Sequence, residues 1–200
     1  MGLTDLFAEN AVIKWLRGDT TRHDMTATLA GVELGGRVLL IGCSDPRLAT
    51  VVASKTGLSG TATAIDEVPA RIEAVRRHAE RAGVLVESAS TSYTALPVDD
   101  GLYDLALVSD AHRAAGPDDL SSALPEIHRA LREGGRVMIL VPLAGARRRV
   151  DDASIAKEPE VIRLIAALQA HGFRAARLLV VREATAFVEG AKPRSVGSAP

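Results

Sequence analysis

The sequence predicts an α/β fold, a mostly parallel sheet covered by helices on both faces, and three observations carry that prediction. Short apolar runs alternate five times with helical stretches, and a further helix and a closing pair of strands follow. Within the first run, Arg37 to Arg47 (RVLLIGCSDPR), Val38 to Ile41 are four apolar residues with no polar alternation, as in a strand buried on both faces. Gly42 breaks this run, and Asp45-Pro46 then reads as a helix start. An Asp at the N-cap accepts from orphan backbone N–H groups, and a Pro at the first helical position loses no hydrogen bond. In parallel α/β sheets such a strand, turn and helix builds a ligand site at the strand's carboxyl end.

The other elements follow in order. Leu3, Leu6, Phe7, Ile13 and Leu16 give residues 3 to 17 a helical stripe ended by Gly18. This helix is read as packing over the domain edge, with a lid or a dimer contact as the functional alternatives. Thr20 to Asp24 is polar, and Met25 to Leu34 leads to the first strand. After the helix from Pro46 comes the turn Gly57 to Gly60, then a second strand, Thr61 to Ile65, ending in Asp66. A helix runs from Pro69 to Ala82, with Ile72, Val75 and Ala79 inward and Gly83 as its C-cap. Val84 to Ala89 is the third strand, Thr91 to Pro97 a loop, and Asp104 to Ser109 the fourth strand. Asp110 to Asp119 is a polar loop. Leu120, Leu124, Ile127 and Leu131 mark a helix face, with Pro125 as a kink or restart and Gly134-Gly135 as the stop. Arg136 to Pro142 is the fifth strand. Leu143 to Pro159 is a long charged connection containing Arg147, Arg148 and Arg149. A helix from Glu160 to His171, the strands Arg177 to Val181 and Thr185 to Ala191, and a frayed tail from Lys192 complete the chain.

Composition narrows the function classes. The 200 residues suit one domain: an N-terminal helical cap over 1–30, an α/β core over 33–192 and a tail over 193–200. With 24 basic and 25 acidic residues, the charge balance gives no case for a nucleic-acid partner. Cys43 is the single cysteine, so an internal disulfide and a cysteine metal cluster are excluded, and a reducing cytoplasmic setting is expected. No apolar run approaches the roughly 20 residues of a membrane-spanning helix. The N-terminus lacks the basic and apolar segments of a signal peptide. The histidines, at 23, 78, 112, 128 and 171, show no paired ligand spacing, so no metal site is expected. GCSDPR is not the GxGxxG of nicotinamide cofactor sites, and no GxSxG elbow of a serine hydrolase occurs.

Four pieces together resemble the class I S-adenosylmethionine-dependent methyltransferases, above all the small-molecule type 11 group. They are RVLLIGCSDPRLA, the AID ending at Asp66, ALPVDDGLYDLALV (95–108) and LPEIHRALREGGRVMIL (124–140). The resemblance runs from about Glu33 to Pro142, with the last strand pair agreeing to Lys192. It implies a Rossmann-like seven-stranded sheet of order 3-2-1-4-5-7-6, strand seven antiparallel, with S-adenosylmethionine across strands one, two and four.

The candidate cofactor-contact residues are Gly42, Cys43, Ser44, Asp45, Asp66, Glu67, Ser92, Tyr93 and Ser109, of which the resemblance itself implies Gly42 and Asp66. Gly42 matches the first motif glycine. Asp66 matches the acid that takes the ribose hydroxyls, and its other reading is an acid stabilised at a helix start. The chain departs from the pattern at four places: Leu40 stands for an acid, Ser44 and Pro46 for glycines, and Ser92 for the acid at the adenine amino group. Asp45 is a candidate replacement acid if it is not used as a helix cap, and Arg47 a candidate for the methionine carboxylate. Tyr93 would pack on an adenine ring or in the core. Methyl transfer needs orientation more than a fixed base. Asp110, His112 and Arg113, just after the fourth strand, are the candidate catalytic groups. The expected function is methyl transfer from S-adenosylmethionine to a small molecule; the alternative is a catalytically inactive methyltransferase-like domain acting as a binding or scaffold protein.

Overall fold

Val38, Leu39, Leu40 and Ile41 are each at most 2% exposed in the computed structural model, which describes residues 22–109, 117–143 and 152–194. They form strand β1 (Arg37–Ile41), and their side chains alternate between two cores. Val38 and Leu40 pack with helices α1 (residues 22–29), α2 (Pro46–Thr56) and α3 (Pro69–Ala82). Leu39 and Ile41 face the core of α4 (Pro117–Ala130), α5 (Asp152–Ile155) and α6 (Pro159–Ala170). Burial on both faces is why the run carries no polar alternation.

Strands β2 (Thr61–Asp66), β3 (Glu87–Ser90), β4 (Tyr103–Ser109), β5 (Leu131–Pro142), β6 (Arg174–Arg182) and β7 (Thr185–Ala191) complete a seven-stranded sheet of order β3-β2-β1-β4-β5-β7-β6. The pairs β3–β2, β2–β1, β1–β4 and β4–β5 are parallel, while β7 runs antiparallel to both neighbours. The expected strand order is therefore observed, and so are the bounds of α3 and β7. Among the described residues no helix is long and apolar enough to cross a membrane.

Several boundaries differ from expectation. The polar stretch before Met25 is helical in α1, whose fully buried residues are only His23 and Ala27, with Leu29 partly buried against the core. β3 begins at Glu87, not Val84. Gly83 adopts a left-handed conformation and its N–H bonds Glu80 O, while Val84 N–H bonds Ala79 O. Val84 is thus spent closing α3, and pairing with β2 begins only at Glu87. Helix α4 runs through Pro125 and ends at Ala130, before the double glycine, because Gly101 N–H and Leu102 N–H take the carbonyls of Arg129 and Ala130. Gly134 and Gly135 instead lie within β5 beside its register shift, where a Cβ on Gly135 would meet Arg132 O at 2.9 Å and Tyr103 O at 3.0 Å. Nor is Lys192 frayed: its Nζ donates to His128 O and Leu131 O at 2.7 Å. β6 is longer than Arg177 to Val181, with bulges at both register shifts.

His128 on α4 makes a pH prediction. Its ring packs edge-on against Phe173, and its buried Nε2 has no hydrogen-bond partner among the described residues. Burial, then the charges of Lys192 and His171, push its pKa below the usual 6.5. A histidine depressed in the folded state protonates first in the unfolded chain, so stability is full above the unfolded pKa and is lost as pH falls from there towards the folded value. His128→Leu should shrink the loss of urea midpoint between pH 7 and pH 5 relative to the parent; an unchanged loss would contradict this.

Candidate active site

Three chain segments meet at the carboxyl edge of β1, β2 and β3. The first is the turn Gly42–Asp45, fixed by the end of β1 and the start of α2. Gly42 has φ +82, which a side chain would strain. Its N–H continues the ladder to Ile65 O at 3.0 Å, and its carbonyl accepts from Ser109 Oγ at 2.6 Å. Ser109 therefore ties the end of β4 to the turn. Pro46 is the first residue of α2, and Asp45 caps it through Oδ1, which accepts from Arg47 N at 3.1 Å. The other Asp45 oxygen accepts from His23 Nε2 at 2.9 Å. That bond holds the Asp45 carboxyl below its ordinary range. Asp45 is thus committed as a cap and an ion-pair partner, which removes it as a replacement for the acid missing at Leu40. Leu40 itself is 2% exposed in the core beneath α2, where a carboxylate would be desolvated without a partner.

The second segment is Asp66-Glu67 at the end of β2. Asp66 is 0% exposed. Its Oδ2 accepts from Cys43 N at 2.7 Å and Arg71 Nη1 at 3.4 Å, and its Oδ1 accepts from Val68 N at 2.8 Å. The carboxylate braces the turn from beneath and satisfies the N–H of Val68, the N-cap residue of α3. Both sequence readings of Asp66 thus meet a third, a buried strut between β2 and the β1 turn. Glu67 is exposed beside it. Glu67 Oε1 accepts from Ser92 Oγ and Tyr93 N, each at 3.0 Å, and Oε2 has no hydrogen bond among the described residues.

The third segment is the loop after β3. Ser92 is exposed, whereas Tyr93 is 5% exposed and packs in the core with Leu39, Ile41 and Ile65. Burial and the nearby negative charge of Asp66 raise the Tyr93 hydroxyl pKa, so it stays protonated and neutral. Cys43 is buried at the turn, with Sγ 3.7 Å from Ile65 O. Ser44 and Asp45 are exposed along the same edge. The structure thus gathers Gly42, Cys43, Ser44, Asp45, Asp66, Glu67, Ser92, Tyr93 and Ser109 at one edge. The expected catalytic candidates Asp110, His112 and Arg113 lie outside the described residues, as do residues 3–17 and Arg147 to Arg149.

Two contributors carried no sequence signal. His23 reaches Asp45 from 22 residues away, and Arg71 reaches Asp66 from the first turn of α3. No group of three or more His, Cys, Asp or Glu side chains that could hold a metal ion occurs among the described residues.

The sequence profile of a family described as "Methyltransferase domain" matches residues 38–135, from β1 into the glycine pair of β5. A curated relative, the ubiquinone/menaquinone biosynthesis C-methyltransferase UbiE of Geobacter sp. (strain M21), is 34% identical over 116 residues, 55% of this chain and 47% of its own length. The chain therefore spans about half the length of the curated relatives it matches. Among solved structures, a SAM-dependent methyltransferase from Aquifex aeolicus superposes with a TM-score of 0.70 at 17% identity, covering 85% of this chain and 89% of that one. The S-adenosylmethionine-dependent methyltransferase SibL in its apo form gives 0.67 at 19% identity, covering 96% and 60%. At such identities these structures speak to the fold, which agrees with the strand order described above. With that fold, the matched profile and the β1 turn set against the end of β2, the chain is similar to the class I S-adenosylmethionine-dependent methyltransferases.

Proposed function

We propose that the chain uses S-adenosylmethionine to methylate a small-molecule acceptor, and that residues 1–200 form a single methyltransferase-like domain. The observation that carries this reading is the convergence of the Gly42 turn, Asp66-Glu67 and Ser92-Tyr93 on one edge of the sheet. The side chains there suit this cofactor. Carboxylates dominate the edge: Asp45, Asp66 and Glu67, with Arg71 paired to Asp66. A pyrophosphate would meet like charge there, whereas a ligand offering hydroxyl or amino donors finds an open acceptor in Glu67. Gly42, bare of a side chain, is buried beneath this edge, and Ser44 is exposed along it.

The cofactor supplies an activated methyl group on a positively charged sulfur. The work left to the protein is to bind both partners and hold the acceptor atom in line with that methyl. A proton acceptor is required only where the acceptor is a hydroxyl or similar group, and Asp110 and His112, which follow Ser109 directly in the chain, are the proposed candidates. The curated relative's name specifies C-methylation in quinone biosynthesis. With half of that relative's length matched, the acceptor here is proposed only as a small molecule.

The test is transfer of label from methyl-labelled S-adenosylmethionine into the low-molecular-mass fraction of a cell extract incubated with the purified chain. Labelled product is expected. Label confined to unreacted cofactor, from a protein that binds the cofactor, would contradict methyl transfer while leaving cofactor binding intact.

A further inference from the structure

We propose that Glu67, not Asp66, is the carboxylate that receives the adenosine half of the cofactor; this rests on the cofactor reading above. Asp66 occupies the position to which the resemblance gives that task, yet its three hydrogen bonds go to Cys43 N, Val68 N and Arg71 Nη1, and the residue is 0% exposed. An ionised carboxylate offers about four acceptor sites, so Asp66 is largely used up as well as covered. Tyr93, 5% exposed, lies against the same buried region.

Glu67 has the opposite character. It is the next residue in the chain, its side chain is exposed, and Oε2 has no hydrogen bond among the described residues. Its other oxygen is not loose. Ser92 Oγ and Tyr93 N hold Oε1 at 3.0 Å each, which fixes the carboxylate between the end of β2 and the loop after β3. A carboxylate held by one oxygen, with the other turned out, is preorganised to accept from a ligand donor.

The arrangement also accounts for Ser92, where the resemblance leads one to expect an acid. The serine is the donor that orients Glu67, so the carboxylate absent at position 92 is supplied from position 67. An acid at 92 would sit against Glu67 and repel it. The donor that Glu67 takes is either a ribose hydroxyl or the adenine amino group. Both are neutral donors to an anion, and the test separates them.

The variant Glu67→Gln isolates the charge. Its amide oxygen still accepts from Ser92 Oγ and Tyr93 N, so the loop keeps its anchor, while the anionic Oε2 is lost. Titration calorimetry with S-adenosylhomocysteine should show affinity reduced about tenfold to a hundredfold, the range expected of a hydrogen bond to a charged group. The thermal midpoint of the unliganded protein should not move. Ser92→Ala should weaken binding less, because the Tyr93 N–H still holds Oε1. The analogue lacking the two ribose hydroxyls and the inosine analogue lacking the amino group then identify the donor: the Glu67→Gln penalty should vanish with one of them. Parent-like affinity in Glu67→Gln, or a penalty undiminished with both analogues, would overturn the assignment of Glu67 while leaving the cofactor reading standing. A parent protein that binds no S-adenosylhomocysteine would overturn the cofactor reading itself.

Discussion

Asp66→Ala should lower the unfolding free energy by about 3 kcal/mol, because it strands the buried Cys43 N–H and removes the carboxylate that joins β2 to the β1 turn. For a domain of this length that corresponds to a fall in thermal midpoint of roughly 6–12 °C. Asp66→Asn should cost less, since an amide oxygen can still accept from one of the two backbone groups. Chemical denaturation of the three proteins checks this order. Equal stability of Asp66→Ala and the parent would mean that the carboxylate is not a strut and is free for a ligand. The prediction therefore bears on function as well as folding: changes at Asp66 act on the unliganded protein, whereas Glu67→Gln acts on the liganded one.

Arg129 on α4 should prove nearly as costly to lose. Its guanidinium donates to Leu96 O, Val98 O and Asp100, and pairs with Glu126 through Nε at 3.0 Å and Nη2 at 2.8 Å. Glu126 in turn accepts from Leu96 N at 3.0 Å. Pairing with Arg129 holds the Glu126 carboxyl below its ordinary range, and Glu126 and Asp100 raise the guanidinium's own pKa. One planar fork thus fastens the chain between Ser92-Tyr93 and β4. Arg129→Met should cost about 2–4 kcal/mol, as two carbonyls and two carboxylates lose their donor together. Arg129→Lys should recover less than half of that, because one ammonium cannot reach the same set. Hydrogen exchange should show residues 96–102 opening first in both variants; unchanged protection there would refute the clamp.

The sheet was legible because its signals are local and strong. Val38 to Ile41 could be read as a doubly buried strand, Pro69 and Gly83 fixed the two ends of α3, and Gly42 marked the turn. Where the signal was weak, the boundaries moved. Helix α1 buries only His23 and Ala27 fully, which leaves no large apolar stripe, and the start of β3 at Glu87 follows from Val84 closing α3. At the site, positions were legible and roles were not. Asp66 stood in the expected place, but its partners are backbone N–H groups of a turn 23 residues earlier in the chain and of the next helix's cap. Asp45 read correctly as a cap, while its bond to His23 depends on how α1 packs, which no spacing in the sequence encodes. The departures at Leu40 and Ser92 gain physical reasons only in three dimensions: one side chain joins the core, and the other orients Glu67.

The proposed activity requires that the Gly42 turn hold S-adenosylmethionine with Ser44 and Pro46 standing where the pattern has glycines. Equilibrium titration of the purified chain with S-adenosylhomocysteine tests it most directly. Saturable binding at one site per chain, lost when Gly42 is replaced by valine in a variant that still folds, is the predicted result. No binding at millimolar ligand by the folded parent chain would contradict it.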